Sequence, residues 1–102
     1  MLRTRKQRED LCKNCPVARV ADVVGDSCSL LILRDLLERP RRFSELEKSL
    51  AGISSRTLTN KLKRLEKEGL ITHRTGYTMT KKGAALQGVV DAMRSYGKRY
   101  LT

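Results

Sequence analysis

Apolar residues along this chain recur in short stretches whose spacing changes several times. Val17, Val20, Ala21 and Val24 repeat at helical spacing behind Pro16, a residue suited to a helix's first turn, and Gly25 closes that stretch. Ser27 can cap a second helix. There Leu30, Leu31, Leu33, Leu36 and Leu37 turn inward, Arg34, Asp35 and Glu38 are left to solvent, and Pro40 ends the run. Phe43 reads as a short extended piece. Ser44-Glu45-Leu46-Glu47 has the spacing of a capping box, opening a short helix with Leu46 and Leu50 inward. After the turn Ala51-Gly52-Ile53, Ser54 or Ser55 caps a helix running to Glu68 and stopped by Gly69. The period then switches to that of strands over 70–74 and 77–80, around a tight Thr75-Gly76 turn. Thr80 caps a long last helix whose stripe holds Leu86, Val89, Val90, Met93, Tyr96 and Tyr100.

This order of elements predicts a mainly α fold with a small β-wing: a winged helix-turn-helix, with the helix-turn-helix at 44–69 and a short wing at 70–80. A basic arm over 1–11 precedes it, and 81–102 forms a helix that outruns what a small core can cover. The 102 residues fit one domain, and they hold few aromatics (Phe43, Tyr77, Tyr96, Tyr100, no Trp), so the core is aliphatic and thin. The long apolar stripe therefore reads as a dimer interface.

Charge changes the picture most. Twenty-two Lys and Arg against eleven Asp and Glu leave a formal net charge of +11. A surplus of that size asks for a polyanion, either nucleic acid or an anionic surface. No apolar run approaches the roughly 18 residues of a membrane span, and the basic start leads into charged residues rather than a signal core, so the expectation is a cytoplasmic protein with no membrane partner.

The helix from Ser55 to Glu68 shows where the polyanion would sit. Advancing roughly 100° per residue, Leu58, Leu62 and Leu65 share one direction. Arg56, Asn60, Lys63 and Lys67 fall opposite, flanked by Arg64 and Thr57 on one side and Thr59 on the other. Asn60 can pair in bidentate fashion with adenine and Arg56 with guanine. Ser54, Ser55, Thr57 and Thr59 can bond phosphate oxygens, and the free amides of the helix start favour a phosphate there. On the wing, Arg74 and Thr75 are the backbone contacts. The lone His73 reads as an ordinary strand residue. A non-specific, nucleoid-type DNA-binding protein shares the charge but has no preferred sequence. The scarcity of aromatics argues against single-stranded RNA.

Cys12 and Cys15 form a C-x-x-C. A tetrahedral metal site needs four ligands and the usual second pair is absent, so no metal or other cofactor is expected. Nor does an enzyme emerge: His73 has no evident nucleophile or acid beside it, and there is no glycine-rich phosphate loop. Two readings of the C-x-x-C stand, a redox-responsive thiol pair centred on Cys15 and thiols with no role. Lys13 and a helix start at Pro16 would set positive potential beside Cys15. Cys28, next to an apolar run, reads as a packed core residue.

Cys15-Pro16-Val17, Gly25, Leu30-Leu31-Ile32-Leu33-Arg34, Arg42-Phe43-Ser44-Glu45-Leu46, Gly52-Ile53-Ser54, Arg56-Thr57-Leu58-Thr59, Leu62, Leu65-Glu66, Glu68-Gly69-Leu70-Ile71 and Tyr77-Thr78-Met79-Thr80-Lys81-Lys82-Gly83 follow one another as in HxlR-type winged-helix regulators, relatives of the MarR group. The resemblance covers residues 15 to about 90. It implies a homodimer built from N- and C-terminal helices, binding of an inverted-repeat operator in double-stranded DNA to regulate transcription, and a response to electrophiles or oxidants through Cys15. Two departures stand out. Cys28 occupies a place where the family usually has Trp, and the wing lacks the family's extra stretch between its strands, which shifts discrimination toward the recognition helix.

Overall fold

The computed structural model describes Lys6 and residues 15–102. Cys12 and, apart from Lys6, the arm read over 1–11 lie outside the described residues. The elements are α1 (Pro16–Val24), α2 (Ser27–Glu38), α3 (Phe43–Ser49), α4 (Ser55–Lys67), β1 (Ile71–His73), β2 (Tyr77–Met79), α5 (Lys81–Ala84) and α6 (Gln87–Tyr100). This is the winged helix-turn-helix order.

One aliphatic core joins them. Ile32, Leu33 and Leu36 of α2 meet Leu46 of α3 and Leu58, Leu62 and Leu65 of α4, and Leu70, Ile71 and Tyr77 close the group from the wing. The sequence reading of α2 needs correction. Ile32 is fully buried whereas Leu31 stays exposed, so the inward face is turned by about one residue. Asp35 is buried rather than solvated, because Arg34 Nε (3.0 Å) and the Ser49 hydroxyl both donate to its carboxylate and bind α2 to α3.

Helix starts also moved. Asp26, not Ser27, caps α2, its Oδ1 accepting from Ser29 N–H at 2.9 Å. The box placed on Ser44 and Glu47 lies two residues earlier: Phe43 is already helical, and Glu45 Oε1 accepts from Arg42 N–H at 2.9 Å. The extended piece is at Arg41, which bridges to Tyr77, and not at Phe43.

Helix α4 starts on Ser54, whose hydroxyl accepts from Thr57 N–H at 3.1 Å. It ends with Gly69 at φ +78°, the left-handed turn that glycine adopts without a steric penalty. There Gly69 N–H donates to Glu66 O (2.9 Å) and Leu70 N–H to Leu65 O (3.0 Å), so two of the helix's last carbonyls are satisfied and the chain is aimed into β1. Strands β1 and β2 pair antiparallel with Ile71 opposite Met79 and His73 opposite Tyr77.

The long last helix is two helices. Thr80 caps α5 through Gly83 N–H (3.0 Å), while its own hydroxyl donates to Gly69 O (2.6 Å). This fastens α5 to the wing. The chain then breaks at Ala85–Leu86 and α6 leaves in the direction that lets Val90 reach the core. Two docking demands in different directions defeat one straight helix, and Gly83 and Gly88 make the break inexpensive. The apolar stripe is divided accordingly. Val90 is buried and Leu86 packs against the core, but Val89, Met93, Tyr96 and Tyr100 stand exposed. Val17 and Val20 of α1 are also exposed, and of the apolar residues at that helical spacing only Val24 is buried.

Candidate nucleic-acid interface

The chemistry of α4 follows from its burial. Leu58, Leu62 and Leu65 are essentially inaccessible. That fixes the opposite face outward: Arg56, Asn60, Lys63 and Lys67 are all exposed, with no ion pair to any of them among the described residues. Four polar side chains on one helix face, without ion-pair partners among the described residues, are placed to meet a ligand.

The flanking groups are less free. Arg64 Nη2 donates to the backbone carbonyl (3.1 Å) and carboxylate (3.4 Å) of Asp22, at the end of α1. Lys61 reaches Asp26 at 3.5 Å. Burial alone would raise the carboxyl of Asp26, but Ser29's N–H and hydroxyl and the Lys61 charge outweigh it and hold the group below the usual carboxylate range. The hydroxyls of the helix start have partners too. Ser54 donates to Thr57 Oγ1 at 2.9 Å and Ser55 to Glu47 Oε2 at 2.6 Å. Thr59 is half-buried. Of the residues the sequence offered for DNA, then, Arg56, Asn60, Lys63 and Lys67 form one open face, while Ser54, Ser55, Thr57 and Arg64 are engaged within the fold.

Arg74 and Thr75 are exposed at the tip of the hairpin, away from α4's core face. Below them His73 stacks on Tyr77, ring centroids 3.9 Å apart and planes within 8°, and the Thr72 and Thr78 hydroxyls meet at 2.8 Å. Burial, then the charge of Glu66, pushes the Tyr77 phenol up, so it stays protonated. Between the hairpin and the α2–α3 turn lies a cleft of about 330 Å³, with Arg41, Arg42 and Glu45 on one wall and Arg74, Thr75 and Thr78 on the other. Sequence reasoning missed Arg41 and Arg42. The signal was present in the run Arg39-Pro40-Arg41-Arg42, but only the Arg41–Tyr77 bridge brings that run to the wing.

Cys15 is the N-cap of α1, half-buried, its Sγ accepting from Ala18 N–H at 3.4 Å. Cys28 is half-buried rather than packed in the core and lines a cleft with Leu31, Leu50 and Ile53. Among the described residues no three His, Cys, Asp or Glu side chains gather as metal ligands, and no helix is long and apolar enough to cross a membrane.

Residues 23–102 match the HxlR-like helix-turn-helix family. The chain belongs to that family. An HTH-type transcriptional regulator of Synechocystis sp. is 35% identical over 95 residues, covering 85% of this chain and 70% of its own. Among solved structures, the quinone-bound regulator YodB of B. subtilis superimposes with a TM-score of 0.77 at 30% identity, covering 84% of this chain and 99% of YodB. The redox regulator HypR in its reduced form superimposes with a TM-score of 0.76 at 26% identity, covering 83% and 92%. This HxlR-like protein is thus a transcription regulator of the helix-turn-helix type, a family of regulators and not of enzymes.

Proposed function

We propose that this HxlR-like regulator acts in the cytoplasm as a homodimer that reads a short inverted repeat in double-stranded DNA through α4, and that Cys15 makes its binding responsive to thiol-reactive compounds. The observation that carries the reading is the division of α4 into a leucine face sunk in the core and an open Arg56, Asn60, Lys63 and Lys67 face. A helix presented in this way fits the major groove, where an amide reads adenine and a guanidinium reads guanine. The exposed Val89, Met93, Tyr96 and Tyr100 supply a self-complementary surface for the dimer. For Cys15, support comes from its position at the start of α1 and from the likeness to quinone-bound YodB and to the redox regulator HypR. A disulfide formed from Cys15, with Cys12 or across the dimer, passes two electrons and two protons to the oxidant and displaces the Sγ that caps α1.

Selection from a random-duplex library by the purified protein, with and without a thiol oxidant, tests this. An enriched inverted repeat with half-sites about one helical turn apart is expected, altered by oxidant in wild type and not in Cys15→Ser. Retained salt-sensitive binding without enrichment would instead describe a non-specific nucleoid-type protein. On the selected site, Arg56→Ala or Asn60→Ala should cost about 1–3 kcal/mol and relax sequence preference, whereas Lys67→Ala should weaken all duplexes alike. Equal loss of specific and random DNA in Asn60→Ala would remove α4's groove face from the account.

A further inference from the structure

The cleft between the wing and the α2–α3 turn has walls that cannot drift apart. Arg41 N–H donates to Tyr77 O at 3.1 Å, and Tyr77 N–H donates to Arg41 O at 2.7 Å. These two bonds pin the run Arg39-Pro40-Arg41-Arg42 against the hairpin that carries Arg74. The backbone on the two sides of the cleft is therefore held in place, so Arg42 and Arg74 start from fixed positions.

Its charge is unbalanced in one direction. Three arginines line it (Arg41, Arg42, Arg74), against one carboxylate, Glu45. That carboxylate, and Glu38 beside the cleft, are already used. Glu45 takes Arg42 N–H on Oε1 and Arg39 Nη1 on Oε2 (3.0 Å), and Glu38 takes Arg41 Nη2 at 3.1 Å. Arg42 and Arg74 are exposed and have no acidic partner among the described residues. The Arg41 side chain is only 11% exposed, and its Nε is buried with no hydrogen-bond partner among the described residues. Thr75 and Thr78 add hydroxyls on the opposite side. Convergent guanidinium and hydroxyl donors are what a tetrahedral oxyanion with several acceptor oxygens requires.

We infer that this cleft seats a backbone phosphate of the duplex, held from opposite walls by Arg42 and Arg74. The inference rests on the reading of α4 as the groove helix and extends it. The hairpin begins four residues after α4 ends, so a duplex engaged by α4 brings its sugar-phosphate edge to the wing. The clamp fixes register and carries no base information. It also compensates for the short hairpin, which gains from the α2–α3 turn the basic surface that a longer wing would supply by itself.

The test is a salt titration of binding to a random-sequence duplex and to the selected operator. Arg42→Gln and Arg74→Gln should each weaken both duplexes by the same factor, about tenfold at low salt. Because the two side chains share one phosphate, the double variant should lower the slope of log K against log salt by about one, not two. Arg42→Lys combined with Arg74→Gln should keep the wild-type slope, which a merely structural role would not predict. Arg94→Gln, a charge removed from α6, should leave it unchanged. Matched melting curves guard against misfolding. An unchanged slope in the double variant, with Arg56→Ala still impaired, overturns the clamp and leaves the groove helix standing. Wild type that binds no duplex fails the groove reading first and the clamp with it. Inorganic phosphate that competes beyond an ionic-strength match in chloride would make this a free-phosphate site and overturn the backbone assignment.

Discussion

At the scale of single residues, two glycines of the last segment have opposite meanings. A Cβ on Gly83 would lie 2.1 Å from the backbone carbonyl oxygen of Leu70 and 2.8 Å from Met79 Cε, whereas nothing lies within 4 Å of one on Gly88. The Leu70 carbonyl also accepts from Thr80 N–H at 3.0 Å, so it has no room to retreat. Gly83→Ala should destabilise by about 1–3 kcal/mol through overpacking. Gly88→Ala should be neutral or stabilise by up to about 1 kcal/mol through helix propensity. Thermal melts of the two variants check the contrast, and equal shifts would count against the close approach of α5 to the wing. Sequence alone could not separate these glycines, since both sit in the same apparent helix. Nor could it show that Asp35 is buried, because charge type says solvent until Arg34 and Ser49 are seen to satisfy it. The core side of α4 was legible because three leucines at one period leave a single solution.

Among the elements, caps carry the less obvious lesson. Local chemistry would start α3 at Ser44, but the structure uses Arg42, because the Arg41–Tyr77 bridge ends the extended segment there. Glu45 then reaches back to Arg42 N–H. That hydrogen bond first, and Arg39 second, hold the Glu45 carboxyl below the usual carboxylate range. A folded value below the unfolded one means that ionised Glu45 contributes stability above the unfolded pKa. That contribution disappears as pH falls through the lowered folded value. Acid titration of stability should therefore show a shallower loss in Glu45→Gln than in wild type, and parallel acid limbs would argue against this cap. The order of elements and the two-stranded wing followed from period and turn residues. The break at Ala85–Leu86 did not, because it arises from where α5 and α6 must dock, which no local pattern encodes.

Seen whole, the described residues leave apolar side chains without cover inside one subunit: Val17 and Val20 on α1, Leu31 on α2, and Val89, Met93, Tyr96 and Tyr100 on α6. Tyr96 and Tyr100 lie 5.0 Å apart, and Arg99 lies 5.4 Å from the Tyr100 ring. If the homodimer forms through this face, Met93→Glu should shift the protein to monomer in sedimentation and weaken the inverted repeat far more than an isolated half-site. A dimer that survives Met93→Glu would move the interface elsewhere. Periodicity had placed Leu86 and Val90 on the same stripe as these residues. Folding assigns those two to the subunit's own core and leaves the others outside.

The division of the last helix has a metrical consequence. If α4 reads DNA as proposed, α4 and the wing form one reading head, because α5 is bolted to the hairpin by Thr80 and Gly83. Helix α6 is the handle by which one head would be joined to a second. Between head and handle stand two residues, Ala85 and Leu86, whose backbone angles set the direction in which the handle leaves. In such a pair, those four torsions act as the hinge of a caliper: they determine how far apart the two heads stand, and thereby how many base pairs separate the sites that both can grip at once.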